Sequence, residues 1–311
     1  MSFNGVVYNE SQIDFYLKRI KFPDIPLPTP DNVTTGYGLE YLRRLQKYQQ
    51  QACPFENLNL HYARDVIKTL APEDLYQKFV IRKWGGTCTE NNTFFGNVLR
   101  SLGYKVRPCG ARVHQGHAGN GDGGYVGWNH CINLVTIDGQ KYLVDVGMGP
   151  TSPSQPLLLQ ENNIQTGIGA SKCRLRWDTI PQYTDPDSKL WIYEQDNDGK
   201  SDFLPTYCSP ELEFLPQDYE IIKMGTTFNR RSFFTWKIIC VRTTLNEQED
   251  VEGVLILVDK SLKRRIMGKT EVLATFENES QRVNALKGWF GIEMTEDEKV
   301  GIRGMVTYLG E

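Results

Sequence analysis

The sequence has no apolar run approaching the roughly 20 residues that a membrane-spanning helix needs. It opens Met-Ser-Phe-Asn-Gly, without the charged and then apolar stretches of a secretory signal. Charge of one sign is also lacking: 35 Lys and Arg stand against 38 Asp and Glu, for a net charge of −3. That balance gives no electrostatic footprint for nucleic acid or an anionic membrane, and neither partner is expected. Histidine is rare, with four in the chain, and none of the seven cysteines falls at C-x-x-C spacing. No metal site is expected from such a set. An odd number of scattered cysteines fits free thiols in a reducing compartment, so a cytoplasmic location is expected. The sequons at Asn9, Asn32, Asn91 and Asn278 then read as chance matches.

What the chain does have is a change of hydrophobic period along its 311 residues, enough for two or three domains. Residues 1–103 read as helical. Ser11 is placed to cap a helix with the stripe Ile13, Tyr16, Leu17 and Ile20. Beyond four prolines (23, 26, 28 and 30), a second helix carries Leu39, Leu42, Leu45 and Tyr48. Pro72 suits the first turn of a third, with Leu75, Tyr76, Phe79 and Val80 facing inward. From 104 to 228 the period shifts towards two, as in an antiparallel barrel or sandwich. Its polar stretch at 151–205 reads as a long loop or insertion with some strand, at 190–193. From 229 to 311, strands at 233–241 and 253–258 precede a helix over 280–290 that ends at Gly291.

Two constellations carry chemistry. In Trp84-Gly85-Gly86-Thr87-Cys88-Thr89-Glu90-Asn91-Asn92, a Gly-Gly turn delivers Cys88 to the start of an amphipathic helix. Its stripe is Phe95, Val98, Leu99 and Leu102, and Gly103 suits the left-handed cap. Most free cysteines are merely small buried hydrophobes. At a helix N-terminus, however, the macrodipole and free N–H groups favour the thiolate. Downstream, Asp138-Gly139 between β-prone runs predicts a two-residue hairpin turn. Residue i then pairs with residue 277 − i, which makes His130 and Asp145 diagonal neighbours on one face. Alone, that pair would only pin the hairpin. With Cys88 it supplies a nucleophile, a base and an orienting acid.

Three motifs in order resemble those of the arylamine N-acetyltransferases, which move an acyl group from coenzyme A to an aromatic amine or hydrazine. They are Pro54-Phe55-Glu56-Asn57-Leu58, then the segment around Cys88, and finally His130 with Val144-Asp145-Val146-Gly147-Met148-Gly149. The resemblance runs from the first helix to the C-terminus. It implies an α+β multidomain fold: a helical bundle (1–103), a β-barrel (104–228) and an α/β lid (229–311). The Cys-His-Asp core would be of the cysteine-peptidase and transglutaminase type. Cys88, His130 and Asp145 become the catalytic residues, and Met148, Trp128 and Phe55 the substrate-binding ones. Acyl-CoA, carrying an acetyl or malonyl group, is the implied co-substrate, with no permanently bound cofactor. A small arylamine or arylhydrazine is the acceptor in a ping-pong reaction. A cysteine hydrolase or transglutaminase-like enzyme is the alternative for the same triad.

Two positions depart from the family pattern. Trp84 stands where an Arg usually precedes Gly-Gly and pairs with the Glu of the first motif, so Glu56 needs another cation or a hydrogen-bonded niche. Met148 replaces an aromatic residue, giving a more adaptable wall. Gly119, Gly121 and Gly124 spell G-x-G-x-x-G, but they lead into a strand instead of a helix and read as a loop beside the site. His114 and His117 read as loop histidines, and Lys263-Arg264-Arg265 as an exposed hairpin face.

Overall fold

The computed structural model describes residues 7–63, 69–116, 123–197, 199 and 202–311. Helix α1 (Glu10–Arg19) starts from Asn9 and not from Ser11. The Asn9 side chain accepts from the Gln12 N–H at 2.9 Å, and the Gln12 side chain accepts from the Asn9 N–H at 3.0 Å. The residue placed to answer Ser11, Asp14, instead pairs with Lys18 at 2.7 Å, and the upstream Asn9–Gln12 box forms the cap. Helix α2 (Gly36–Ala52) buries Leu42, Leu45 and Tyr48 on the expected stripe. A two-residue strand β1 (Phe55–Glu56) and a single turn α3 (Asn59–Tyr62) follow. Helix α4 (Pro72–Tyr76) runs into a π-helical turn at Gln77–Ile81. Together they bury Leu75, Tyr76, Phe79 and Val80, and with them Lys78. Helix α5 (Cys88–Ser101) is buried along almost its whole length, and Gly103 follows it at φ +88°.

The central sheet comprises β2 (Lys105–Val113), β3 (His130–Ile137), β4 (Gln140–Val144), β5 (Leu157–Leu158), β6 (Gln165–Thr166), β7 (Lys172–Asp178), β8 (Leu190–Asp196) and β9 (Leu204–Ser209). All pairings are antiparallel, in the order β5-β4-β3-β2-β9-β8-β7-β6. Side chains from seven of these strands, among them Ala111, Ile132, Leu143, Leu157, Leu175 and Tyr193, meet in one buried cluster. The sheet therefore curls into a nearly closed barrel. Between β3 and β4, Asp138 (φ +50°) and Gly139 (φ +71°) form the turn, and Asn133 lies opposite Val144 as the pairing rule requires.

The polar stretch 151–205 differs from its reading as a loop or insertion with some strand: it supplies β5 to β8 and the start of β9. Alternation exists there but is masked by charge. In β7, Cys173 and Leu175 point inward, while Arg174 and Arg176 reach Glu194 at 2.8 and 2.9 Å. Helix α6 (Pro216–Thr227) carries a start signal in Pro216 and Asp218, but exposed Ile221 and Met224 blur the stripe of buried Tyr219 and Ile222.

A second sheet holds β10 (Ile239–Leu245), β11 (Val251–Val258), β12 (Ser261–Ile266) and β13 (Lys269–Thr275), with β1 on its edge beside β10. The strand expected over 233–241 begins only at Ile239. Upstream, Asn57 takes the carbonyls of Phe234 and Lys237 at 2.9 and 2.7 Å, and His61 lies 3.0 and 3.1 Å from the same two. Backbone bonded in that way is not available to a ladder. Helix α7 (Glu279–Ala285) is capped by Asn278 and continues through a π-helical turn to Gly291 at φ +70°. Helix α8 (Glu296–Gly301) follows. Leu58, Tyr62 and Trp84 pack in the same core as Leu257, Leu286 and Phe290, so the first motif is fastened to the C-terminal region.

Candidate active site

Gly85 and Gly86 are required by contact. A Cβ on Gly85 would stand 1.8 Å from the Pro54 carbonyl oxygen, and one on Gly86 would stand 2.7 Å from Glu90 Cβ. The bare backbone lets Gly86 accept from the Glu56 N–H at 2.9 Å and donate to Pro54 at 3.1 Å. The turn is thus sewn to β1, and Cys88 emerges as the first residue of α5 after the N-cap Thr87. Glu90 accepts from the Thr87 N–H at 2.9 Å, fixing the helix start. Cys88 is 5% exposed.

His130 Nε2 lies 2.8 Å from Asp145 Oδ2, both fully buried. The other oxygen, Oδ1, accepts from Asn92 Nδ2 at 2.9 Å and from the Gly147 N–H at 2.8 Å. Asn92 also donates to the Cys131 carbonyl at 2.8 Å and accepts from Val146 N–H at 3.0 Å. Burial would push the Asp145 carboxyl up, but His130 and these donors hold it below its ordinary range. Burial would push His130 down, but Asp145 and the nearby Cys88 sulfur raise it to about 10. The Cys131 thiol, which donates to the Cys88 carbonyl at 3.4 Å, and His130 together outweigh burial and lower the Cys88 thiol to about 6. These directions agree in favouring thiolate and imidazolium near neutral pH. Gly147 allows the approach, since a Cβ there would stand 2.8 Å from Cys88 Cα.

Beneath the turn lies the cation that Glu56 needs. Lys78 Nζ is 3.2 Å from Glu56 and 3.0 Å from Glu90, with Lys223 of α6 a further 3.7 Å from Glu90. Against the cost of burial, Lys78 and Lys223 hold Glu90 down to about 2. Trp84 turns away from this cluster, donating from Nε1 to the Glu293 carbonyl at 3.1 Å under the Arg82 guanidinium. Lys78 was legible in principle, since it falls three residues after Leu75 on the same inward stripe. Asn92, four residues after Cys88, shares its helix face.

An N-acetyltransferase family model matches residues 38–299. The chain belongs to the arylamine N-acetyltransferase family. It is 37% identical to the N-malonyltransferase FDB2 of Fusarium pseudograminearum, over 95% of this chain and 92% of that protein. The pineal gland arylamine N-acetyltransferase NAT-10 of Gallus gallus is 27% identical over 83% and 97%. The arylamine N-acetyltransferase of Salmonella typhimurium shares the fold, with a TM-score of 0.78 at 23% identity, covering 95% of this chain and 98% of that one. The chain is accordingly an acyltransferase, and its nearly closed barrel and flanking helices are those of the family fold.

The three expected substrate contacts of this acyltransferase pack on three different clusters. Met148 lies against the barrel interior, Phe55 against Val241 and Val254, and Trp128 against the helical core, edge-on to Phe214. Each adjoins a contact to the nucleophile turn. Asn129 carbonyl lies 3.8 Å from Cys88 Sγ, Gly147 abuts Cys88, and Phe55 bridges to Gly86. Of the expected loop, Gly119, Gly121 and His117 lie outside the described residues. His114 accepts from the Gly124 N–H at 3.3 Å, a loop-closing bond. In the basic run, Arg264 pairs with Glu271, whereas Arg265 reaches inward to donate to the Pro150 carbonyl at 2.7 Å. It is a strut for the Met148 turn and not part of an exposed face. No described helix is long and apolar enough to cross a membrane.

Proposed function

We propose that the chain transfers a malonyl group from malonyl-CoA to an arylamine through a Cys88 thioester. The observation that carries the chemistry is the Cys88 sulfur at a helix start beside the buried His130–Asp145 pair. The Cys88 thiolate attacks the thioester carbonyl, the C–S bond to coenzyme A breaks, and the departing thiolate takes the proton from His130. Exchanging one thioester for another is nearly isoenergetic, so the demand falls on the tetrahedral oxyanion, for which the Cys88 N–H is a candidate donor. The amine nitrogen then attacks, His130 takes its proton, and Cys88 leaves as the thiolate. Arylamines suit such a site because they are neutral at pH 7, whereas an alkylammonium would lose hydration on entering it.

The donor rests on the 37% identity to N-malonyltransferases across nearly the whole chain. The test mixes the protein with acetyl-, propionyl- or malonyl-CoA, locates the acyl group by peptide mass spectrometry, and then adds one arylamine. Malonyl on Cys88, discharged by the amine as an N-malonyl product, is expected. An adduct on Cys53, Cys109 or Cys131 overturns the nucleophile. Faster loading from acetyl-CoA overturns the donor, and CoA release that continues without amine favours a hydrolase.

A further inference from the structure

Cys131 follows His130 on β3, so its side chain leaves the strand on the opposite face, towards α5. It is fully buried. Its thiol donates to the Cys88 carbonyl at 3.4 Å, which sets it beside the residue that carries the nucleophilic sulfur. When protonated, Cys88 has an acceptor of its own, the Asn129 carbonyl at 3.8 Å. Once ionised it has no hydrogen to give and needs donors instead.

We propose that Cys131 is a positioning residue for the nucleophile, its S–H swinging from the Cys88 carbonyl to the Cys88 sulfur whenever that sulfur is a thiolate. This rests on Cys88 being the attacking atom. The groups that face the pair are His130 on the same strand, Asp145 beyond β4, Tyr207 of β9 against the imidazole ring, and Tyr219 of α6. Tyr219 is held 3.0 Å from the Cys109 and Ile132 carbonyls, and the His130 Nε2 side is taken by Asp145. That leaves His130 and Cys131 as the side chains placed to donate to the sulfur. His130 must release its proton to the leaving coenzyme A thiolate, and while it is neutral the thiol is the donor that stays. Burial raises the Cys131 thiol well above its ordinary range, so it remains a donor and does not compete as an anion. A thioester sulfur is a poor acceptor. The bond is thus made to the attacking and departing thiolate and withdrawn from the acyl-enzyme, which makes Cys88 a better leaving group in the second half-reaction.

The test follows alkylation of Cys88 by iodoacetamide against pH, read peptide by peptide in the full-length protein. Cys131→Ala should move the midpoint upward by about one pH unit, slowing alkylation at pH 6 about fivefold. Cys131→Ser keeps a donor and should hold the wild-type midpoint. A structural role alone would lower the melting temperature of both variants without moving either midpoint. If Cys131→Ala does not fold, Cys131→Val provides the donor-free measurement. An Ala or Val midpoint equal to wild type overturns the proposal, as does a Ser midpoint equal to that of Ala. Alkylation needs no acyl-CoA. A failure to load malonyl on Cys88 therefore strikes the proposed function, while an unmoved midpoint strikes only the role of Cys131.

Discussion

His130 and His61 are equally buried, at 1% exposure each, and they are driven in opposite directions. His61 sits among neutral partners. Its Nε2 is near the Phe234 and Lys237 carbonyls and Asn57, and its Nδ1 is 3.0 Å from Thr307 Oγ1. Burial dominates there, with the Arg282 cation adding to it, and the ring is held below its ordinary value and neutral. His130 has a carboxylate in direct contact and the Cys88 sulfur beside it, and those charges reverse the effect of burial. Burial therefore does not make a histidine reactive. A buried counter-charge does, and a counter-charge is tolerated only where donors such as Asn92 and the Gly147 N–H saturate it.

Asp145→Asn should convert the first case into the second. Without the carboxylate, burial pushes His130 down, the imidazolium is lost near neutral pH, and the Cys88 thiol rises above its value of about 6. Acyl transfer should fall by on the order of 10⁴-fold, since an amide also permits the wrong tautomer. The wild-type ion pair should persist from about pH 6, where Cys88 ionises, to about pH 10, where His130 loses its proton. Rates of acylation and of Cys88 alkylation across that range check both points. Wild-type turnover in the Asn variant would mean that another group orients the ring.

The same contrast applies to the charges beneath the turn. Lys78→Met leaves Glu56 and Glu90 buried without their main cation and should cost about 3–5 kcal/mol in urea unfolding. Lys78→Arg should recover most of it. Because Glu90 is depressed from its ordinary 4.5 to about 2, its contribution is complete above pH 4.5 and lost as pH falls towards 2. Lys78→Met should flatten that acid limb. An unchanged acid limb would show that Lys223 alone holds the carboxylate.

His61→Phe is the structural counterpart. It strands Thr307 and removes a partner of two carbonyls, for about 1–3 kcal/mol of stability. The Cys88 alkylation midpoint should stay where it is. A shift would mean that the clamp on the first motif reaches the nucleophile, and the two histidines would no longer be separable.

Legibility in the sequence followed the same division. The hairpin register, with Asn133 opposite Val144, came from an Asp-Gly turn and a period of two, both local signals. Cys88 at a helix start came from glycines that contact alone requires. Lys78 and Cys131 stayed hidden because their roles depend on what lies across a core. A lysine on an apolar stripe and a cysteine beside a histidine look unremarkable until Glu56, Glu90 and Cys88 are brought to them. The strand at 233–241 failed for a related reason. Its composition favours a ladder, but Asn57 and His61, far away in sequence, had already taken its carbonyls.

The smallest effect is expected at the wall of the site. Met148 is half-buried against the barrel, its N–H donating to Ser152 Oγ at 2.8 Å, next to the Gly147 that abuts Cys88. Its backbone is thus fixed, and its unbranched thioether packs on the barrel core. Met148→Phe keeps the N–H bond and replaces a flexible chain with a rigid ring, so bulky acceptors should be disfavoured by about 1 kcal/mol, roughly fivefold in relative rate. Neither histidine is touched, so the alkylation midpoint of Cys88 and its acylation by malonyl-CoA should hardly change. Ranking para-, ortho- and unsubstituted anilines in the second half-reaction, with the first measured separately, checks this. If acylation slows while the ranking holds, Met148 faces the thioester and not the amine, and the assignment of that wall to the acceptor fails.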